Sequence, residues 1–113
     1  MIVDPANASR GDLYRLLISL IVPRPIAFVS TRSAAGVTNL APFSYFVPLS
    51  SLPPMLGIAF SDRPGDPKDT LRNIRETGEF VVNVVSEPLL ERMVRTAGDW
   101  PASVSEFDVT GLT

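Results

Sequence analysis

The sequence predicts an α+β fold, mainly β: an antiparallel sheet or small barrel with helices packed outside it. Three observations carry this. Runs rich in β-branched and aromatic residues at 25–31, 37–43, 55–61 and 79–85 lack a helical period and read as strands. Helical spacing with end signals occurs instead around 12–22, 66–78 and 86–98. Hairpin-length connections come early in the chain and helices later, which suits an antiparallel sheet more than a doubly wound one.

Residues 1–10 read as an irregular arm. Asp12 is placed to cap a short helix with Leu13, Leu16, Leu17 and Leu20 on one face, stopped by Pro23. "PIAFVST" (25–31) is the first strand. "RSAAG" then turns the chain, with Gly36 available for positive φ. "VTNLAPF" (37–43) is its partner, frayed where Pro42 cannot donate to a ladder. The stretch 38–54, "TNLAPFSYFVPLSSLPP", then runs on as an oddly apolar, proline-rich loop before the strand "MLGIAFS" (55–61).

Asp66 and Pro67 read as cap and first turn of a surface helix carrying Leu71 and Ile74, with Gly78 as its stop. "EFVVNVV" (79–85) reads as a buried strand. Ser86 caps a second helix with Pro88 in its first turn, Leu89, Leu90, Met93, Val94 and Ala97 on its face, and Gly98 at its end. Beyond Trp100-Pro101 the chain reads as irregular.

Composition narrows the chemistry. A chain of 113 residues, 45 % hydrophobic, is expected to form one globular domain spanning 1–113. A net charge of −2 without any basic cluster argues against nucleic acid. The apolar run "LLISLIV" (16–22) is far too short to span a bilayer, so no membrane association and a cytoplasmic location are expected. There is no histidine and no cysteine, which removes imidazole bases, thiolate nucleophiles and their metal sites. Catalysis must then come from carboxylates, lysine, hydroxyls or a cofactor.

Three places could carry chemistry. Lys68, with the Thr70 hydroxyl and free N–H groups at a helix start, could cradle a phosphate. Asp66 and Asp69 oppose that, and a solvated lysine is the plainer reading. Where Pro42 interrupts the ladder, backbone near 39–44 could meet a flat heterocycle, or the neighbouring aromatics could simply be core. Arg24, held extended between two prolines, could clamp a phosphate or form a surface ion pair. Trp100, Arg92 and Arg95 receive no role.

Three segments in order, "PRPIAFVST", "NLAPFS" and "KDTLRNI" with the following "GEFVVN", resemble the flavin reductase-like family of FMN-binding split-barrel proteins, the group containing flavoredoxin. The resemblance runs from about residue 16 to the end. It implies a six-stranded antiparallel split barrel that forms a homodimer with FMN near the subunit interface. It implies that Asn39, Leu40, Ala41 and Pro42 meet the isoalloxazine ring, with Ser44 close by. Lys68, Asp69 and Thr70 would lie at the FMN phosphate, and Ser30 and Thr31 along the ribityl or phosphate side, with Arg24 a further contact. No residue is expected to act as a catalytic acid, base or nucleophile.

The activity so implied is hydride transfer from NAD(P)H to flavin, which needs neither histidine nor cysteine because the cofactor carries the chemistry. An FMN-binding electron carrier without its own NAD(P)H activity, and a fragment with no ligand, are the alternatives. Family members run on past the point where this chain stops, so an incomplete barrel is expected.

Overall fold

The computed structural model describes residues 2–61 and 65–113. Its first strands form where the sequence places them. β1 (Ala27–Arg32) and β2 (Thr38–Phe43) make an antiparallel hairpin with Ala27 opposite Phe43 and Arg32 opposite Thr38. Gly36 turns it with φ 88°, a conformation that a side chain disfavours. β5 (Val81–Asn83) adds to the other side of β1, giving the order β2-β1-β5. A second sheet pairs β3 (Phe46–Ser51) with β4 (Pro54–Ile58). The two sheets do not close on each other, so the architecture is α+β with an incomplete barrel.

The period-two alternation of β1 builds two cores. Ala27, Val29 and Phe43 pack with Ala41, Phe46, Ile58, Phe60 and Val82 on one face. Phe28 and Leu40 face the other way, onto Met93, Val85, Phe107 and Leu112. Among the described residues four α-helices surround the sheets: α1 (Arg10–Leu20), α2 (Asp69–Thr77), α3 (Leu90–Thr96) and α4 (Glu106–Thr110). Among the described residues no helix is long and apolar enough to cross a membrane.

Several expectations are corrected. The cap of α1 is Ser9 rather than Asp12: Ser9 Oγ accepts the Asp12 N–H at 3.1 Å and donates to its carboxylate at 2.6 Å. Asp12 is therefore the third helical residue of a reciprocal cap. The arm before it is partly ordered, since Asp4 caps a 3-10 turn at Pro5–Asn7; Met1 lies outside the described residues. The α2 helix begins two residues later than Asp66-Pro67 suggested, because Lys68 keeps extended backbone (ψ 142°) and only Asp69 enters the helix.

The apolar stretch after β2 is not a loop. Its 46–51 portion is β3, and the prolines that disguise it sit where a two-stranded sheet tolerates them: Pro48 at an irregularity in the pairing and Pro53 in the turn. Nor does Pro42 fray β2. Leu40 N–H points away from β1, toward Glu106, and by two-residue alternation position 42 also faces outward, so no ladder bond is lost there.

The strand read as buried is short and open. Val81 is 58 % exposed and Val84 91 %, because among the described residues β5 pairs only with β1. Helix α4 lies where an irregular tail was expected.

Candidate functional site

The β2 edge, the start of α2 and the segment joining α3 to α4 meet around a cleft of about 120 Å³. Asn39, Ala41, Pro42, Lys68, Asp69 and Thr70 all line it, although about 30 positions separate the two groups in sequence. Register explains the first group. Asn39 and Ala41 lie opposite Thr31 and Val29 and so share a face of the sheet with them. On that face two side-chain bonds fix α2: Asn39 Nδ2 donates to Thr70 Oγ1 at 2.9 Å, and Asn73 Nδ2 donates to Thr31 Oγ1 at 3.1 Å. Asn39, Thr70, Asn73 and Thr31 are all buried. The bonds set the position of the helix start, and with it Lys68.

Lys68 stands at the N-cap position without a side-chain cap of its own, leaving the first-turn N–H groups to other acceptors. Its ammonium lies 5.5 Å from the centre of the Phe43 ring, a cation–π contact that steadies the long side chain. Lys68 also borders a second small hollow, about 130 Å³, whose lining includes Ser44, Tyr14, Tyr45 and Ser61.

The acidic groups around the cleft are largely engaged. Asp69 pairs with Arg72 one turn on. Glu106 Oε2 accepts the Leu40 N–H at 2.9 Å. Burial pushes the Glu106 carboxyl above its ordinary value of 4.5; the Leu40 bond works against that shift, and the charge of Asp69 adds to it.

The remaining expected residues lie elsewhere. The Leu40 side chain is buried in the second core and its N–H is taken by Glu106, so neither is presented to the cleft. Ser30 and Thr31 line a separate hollow of about 290 Å³ with Glu79, Phe80 and Val81. Ser30 Oγ accepts from Asn83 Nδ2 at 3.2 Å. Arg24 and Ser44 line a large apolar cleft of about 720 Å³ between α1 and the β3–β4 hairpin. There Arg24 Nη1 donates to the Ile18 carbonyl at 3.2 Å and closes the end of α1. Ser44 belongs to both this cleft and the hollow beside Lys68, so it links the two.

Sequence reasoning missed the far wall: Thr96, Asp99, Trp100 and Glu106. Trp100 is an anchor as well as a wall, since its Nε1 donates to the Arg95 carbonyl at 3.1 Å near the end of α3. A local signal was present for the helix that carries Glu106, though not for the partner Glu106 meets. Ser105 before Glu106 and Asp108, with Gly111 beyond as the left-handed C-cap, marks a short helix.

The family model of the flavin reductase like domain matches residues 19–113. An uncharacterised protein of Halalkalibacterium halodurans is 48 % identical over 114 residues, covering 100 % of this chain and 54 % of its own length. The chain thus spans about half the length of the curated relatives it matches.

Among solved structures, nitrilotriacetate monooxygenase component B from Bacillus cereus superposes with a TM-score of 0.91 at 36 % identity, over 98 % of this chain and 55 % of that one. The 2-nitrobenzoate 2-nitroreductase of Pseudomonas fluorescens gives 0.82 at 35 %, over 98 % and 52 %. A protein from Shewanella frigidimarina, described as a flavin reductase with a split barrel domain, gives 0.78 at 26 %, over 98 % and 56 %.

Proposed function

The chain belongs to the flavin reductase-like domain family, and from that premise we propose that it is an FMN-binding oxidoreductase that takes a hydride from NAD(P)H. The observation that carries the FMN reading is convergence: Asn39, Ala41, Pro42, Lys68, Asp69 and Thr70 share one cleft. Its volume of about 120 Å³ is well under the ~300 Å³ at which pockets begin to enclose whole small molecules, so it suits a phosphate group, not a ring system.

The donor chemistry fits a phosphate. Lys68 supplies a positive charge, and the uncapped start of α2 supplies backbone N–H donors beside it. The nearest carboxylates oppose an anion less than their number suggests. Arg72 neutralises Asp69, and one carboxylate oxygen of Glu106 is engaged by the Leu40 N–H. The Asn39–Thr70 bond keeps β2 and the helix start together.

Bound FMN would supply the redox chemistry, accepting a hydride and passing electrons on, so the protein needs to bind and orient rather than attack. In this reading Ser44 and Arg24 contact parts of the cofactor that extend past Lys68, and Ser30, Thr31 and the Leu40 backbone are outlying contacts. The reading includes a homodimer in the cytoplasm. The neighbour named as one component of a monooxygenase favours delivery of electrons to a second protein.

Purified protein titrated with FMN should quench its fluorescence at a saturable site, and the complex should then oxidise NADH or NADPH. Complex reduced by dithionite but by neither nicotinamide would make it an electron carrier. Failure to bind FMN at all would sink the reading. Lys68→Ala should weaken FMN by about tenfold or more, the scale of one lost charge-assisted contact. Unchanged affinity would overturn the phosphate assignment.

A further inference from the structure

Among the described residues the outer edge of β2 has no neighbouring strand, yet its backbone there is buried. Leu40 is 2 % exposed, and its N–H points away from β1. A buried donor without an acceptor is costly. The acceptor comes from 66 positions further on: Glu106, itself 7 % exposed, reaches Leu40 N from the first turn of α4. Beside it, the hydroxyls of Thr38 and Ser105 bond at 2.7 Å. At the next outward-facing position stands Pro42, which has no N–H to satisfy. Two adjacent residues of one strand therefore hold two helices on either side of the cleft: Asn39 binds Thr70 of α2, and Leu40 binds Glu106 of α4.

We propose that Glu106 is a positioning residue: by accepting the Leu40 N–H it holds the edge of β2 where Asn39, Ala41 and Pro42 line the cleft with Lys68. An ionised carboxylate makes a stronger acceptor than a neutral group and can hold an edge strand without a further strand beside it. Glu106 makes this bond while facing Lys68, Asp69 and Asp99 across the same cleft, with Arg72 pairing Asp69. Its effect on FMN rests on the function proposed above; its hold on β2 does not.

The test joins backbone NMR with FMN titration. In the wild-type protein the Leu40 amide should exchange slowly, and its resonance should move as Glu106 titrates. Glu106→Ala should speed exchange across 39–42 and weaken FMN by about tenfold or more, the scale of a lost hydrogen bond to a charged group. Glu106→Gln, whose amide oxygen can accept the same bond, should recover most of both. A general structural defect would show no such rescue.

Three results would overturn the proposal. One is a Glu106→Ala protein with wild-type Leu40 exchange or wild-type FMN affinity. Another is a Gln variant as impaired as the Ala variant. The third is a Leu40 amide indifferent to Glu106 titration, which decides the matter even if the Ala variant does not fold. If the wild-type protein binds no FMN, the functional reading fails, and the Leu40 titration still decides whether Glu106 holds the strand.

Discussion

At the scale of single residues, the cleft is held by polar groups with little solvent to replace a lost partner. Thr70 is 2 % exposed and accepts from Asn39, which is also buried. Thr70→Ala removes the acceptor and strands an amide, so it should lower stability by about 1–3 kcal/mol, measured by denaturant unfolding. A loss below about 0.5 kcal/mol, the usual range for an exposed substitution, would mean the pair is not formed.

Glu106 gives a pH signature. Burial raises its folded carboxyl above the ordinary value of 4.5, so the folded protein keeps a proton that the unfolded chain has released. Its contribution is fully present below pH 4.5 and is lost as pH rises through the folded value. Glu106→Gln should flatten that falling limb in a stability-against-pH curve. Asp12 has the opposite sign: bonds from Ser9 and Arg15 lower its carboxyl, so its effect is lost on acidification.

At this scale the sequence was informative about the β2 and α2 sides of the cleft. Asn39, Ala41 and Pro42 could be read because they stand together in one motif, and Lys68, Asp69 and Thr70 because they stand in another. Glu106 could not, because its role depends on which way Leu40 N–H points, a fact of pairing register rather than of residue type.

At the scale of elements, what was legible were the features written in local sequence. Gly78 ends α2 with φ 75°, as its place after a periodic helix implies. A Cβ there would meet nothing within 4 Å, so Gly78→Ala probes the backbone conformation alone. It should destabilise by about 1–2 kcal/mol, the penalty of a left-handed conformation for a residue with a side chain, seen as a lower unfolding midpoint. An unchanged midpoint would mean the helix end rearranges freely.

What escaped were elements whose identity comes from partners. β3 carries Pro48, which argues against a strand, but pairing with β4 over 46–51 overrides that propensity. Helix α4 has five residues, too few for an apolar period to show, and is fixed by its bonds to β2. The strand at 79–85 failed for a related reason. Its apolar run signals burial only when both faces and both edges are covered, and here one edge is open.

At the scale of the whole molecule, the arrangement is open. The Cα radius of gyration is 15.7 Å, against about 13 Å expected of a compact domain of this length. The difference shows as apolar surface: the cleft of about 720 Å³ beside the β3–β4 hairpin, another of about 500 Å³ beside β5, and side chains such as Leu49, Leu52 and Val84 left exposed.

The free edge of β5 adds unpaired backbone groups to this surface, and exposed apolar edges favour strand addition from another molecule. The proposed homodimer should therefore form at micromolar concentration through that edge. Val81→Lys tests it directly, because Val81 is 58 % exposed and a lysine there should leave the fold's own stability within about 0.5 kcal/mol. Sedimentation should show a dimeric mass for the wild-type protein and a shift toward monomer for the variant. A wild-type monomer across the micromolar range would remove the homodimer. A dimer that survives Val81→Lys would move the interface away from β5.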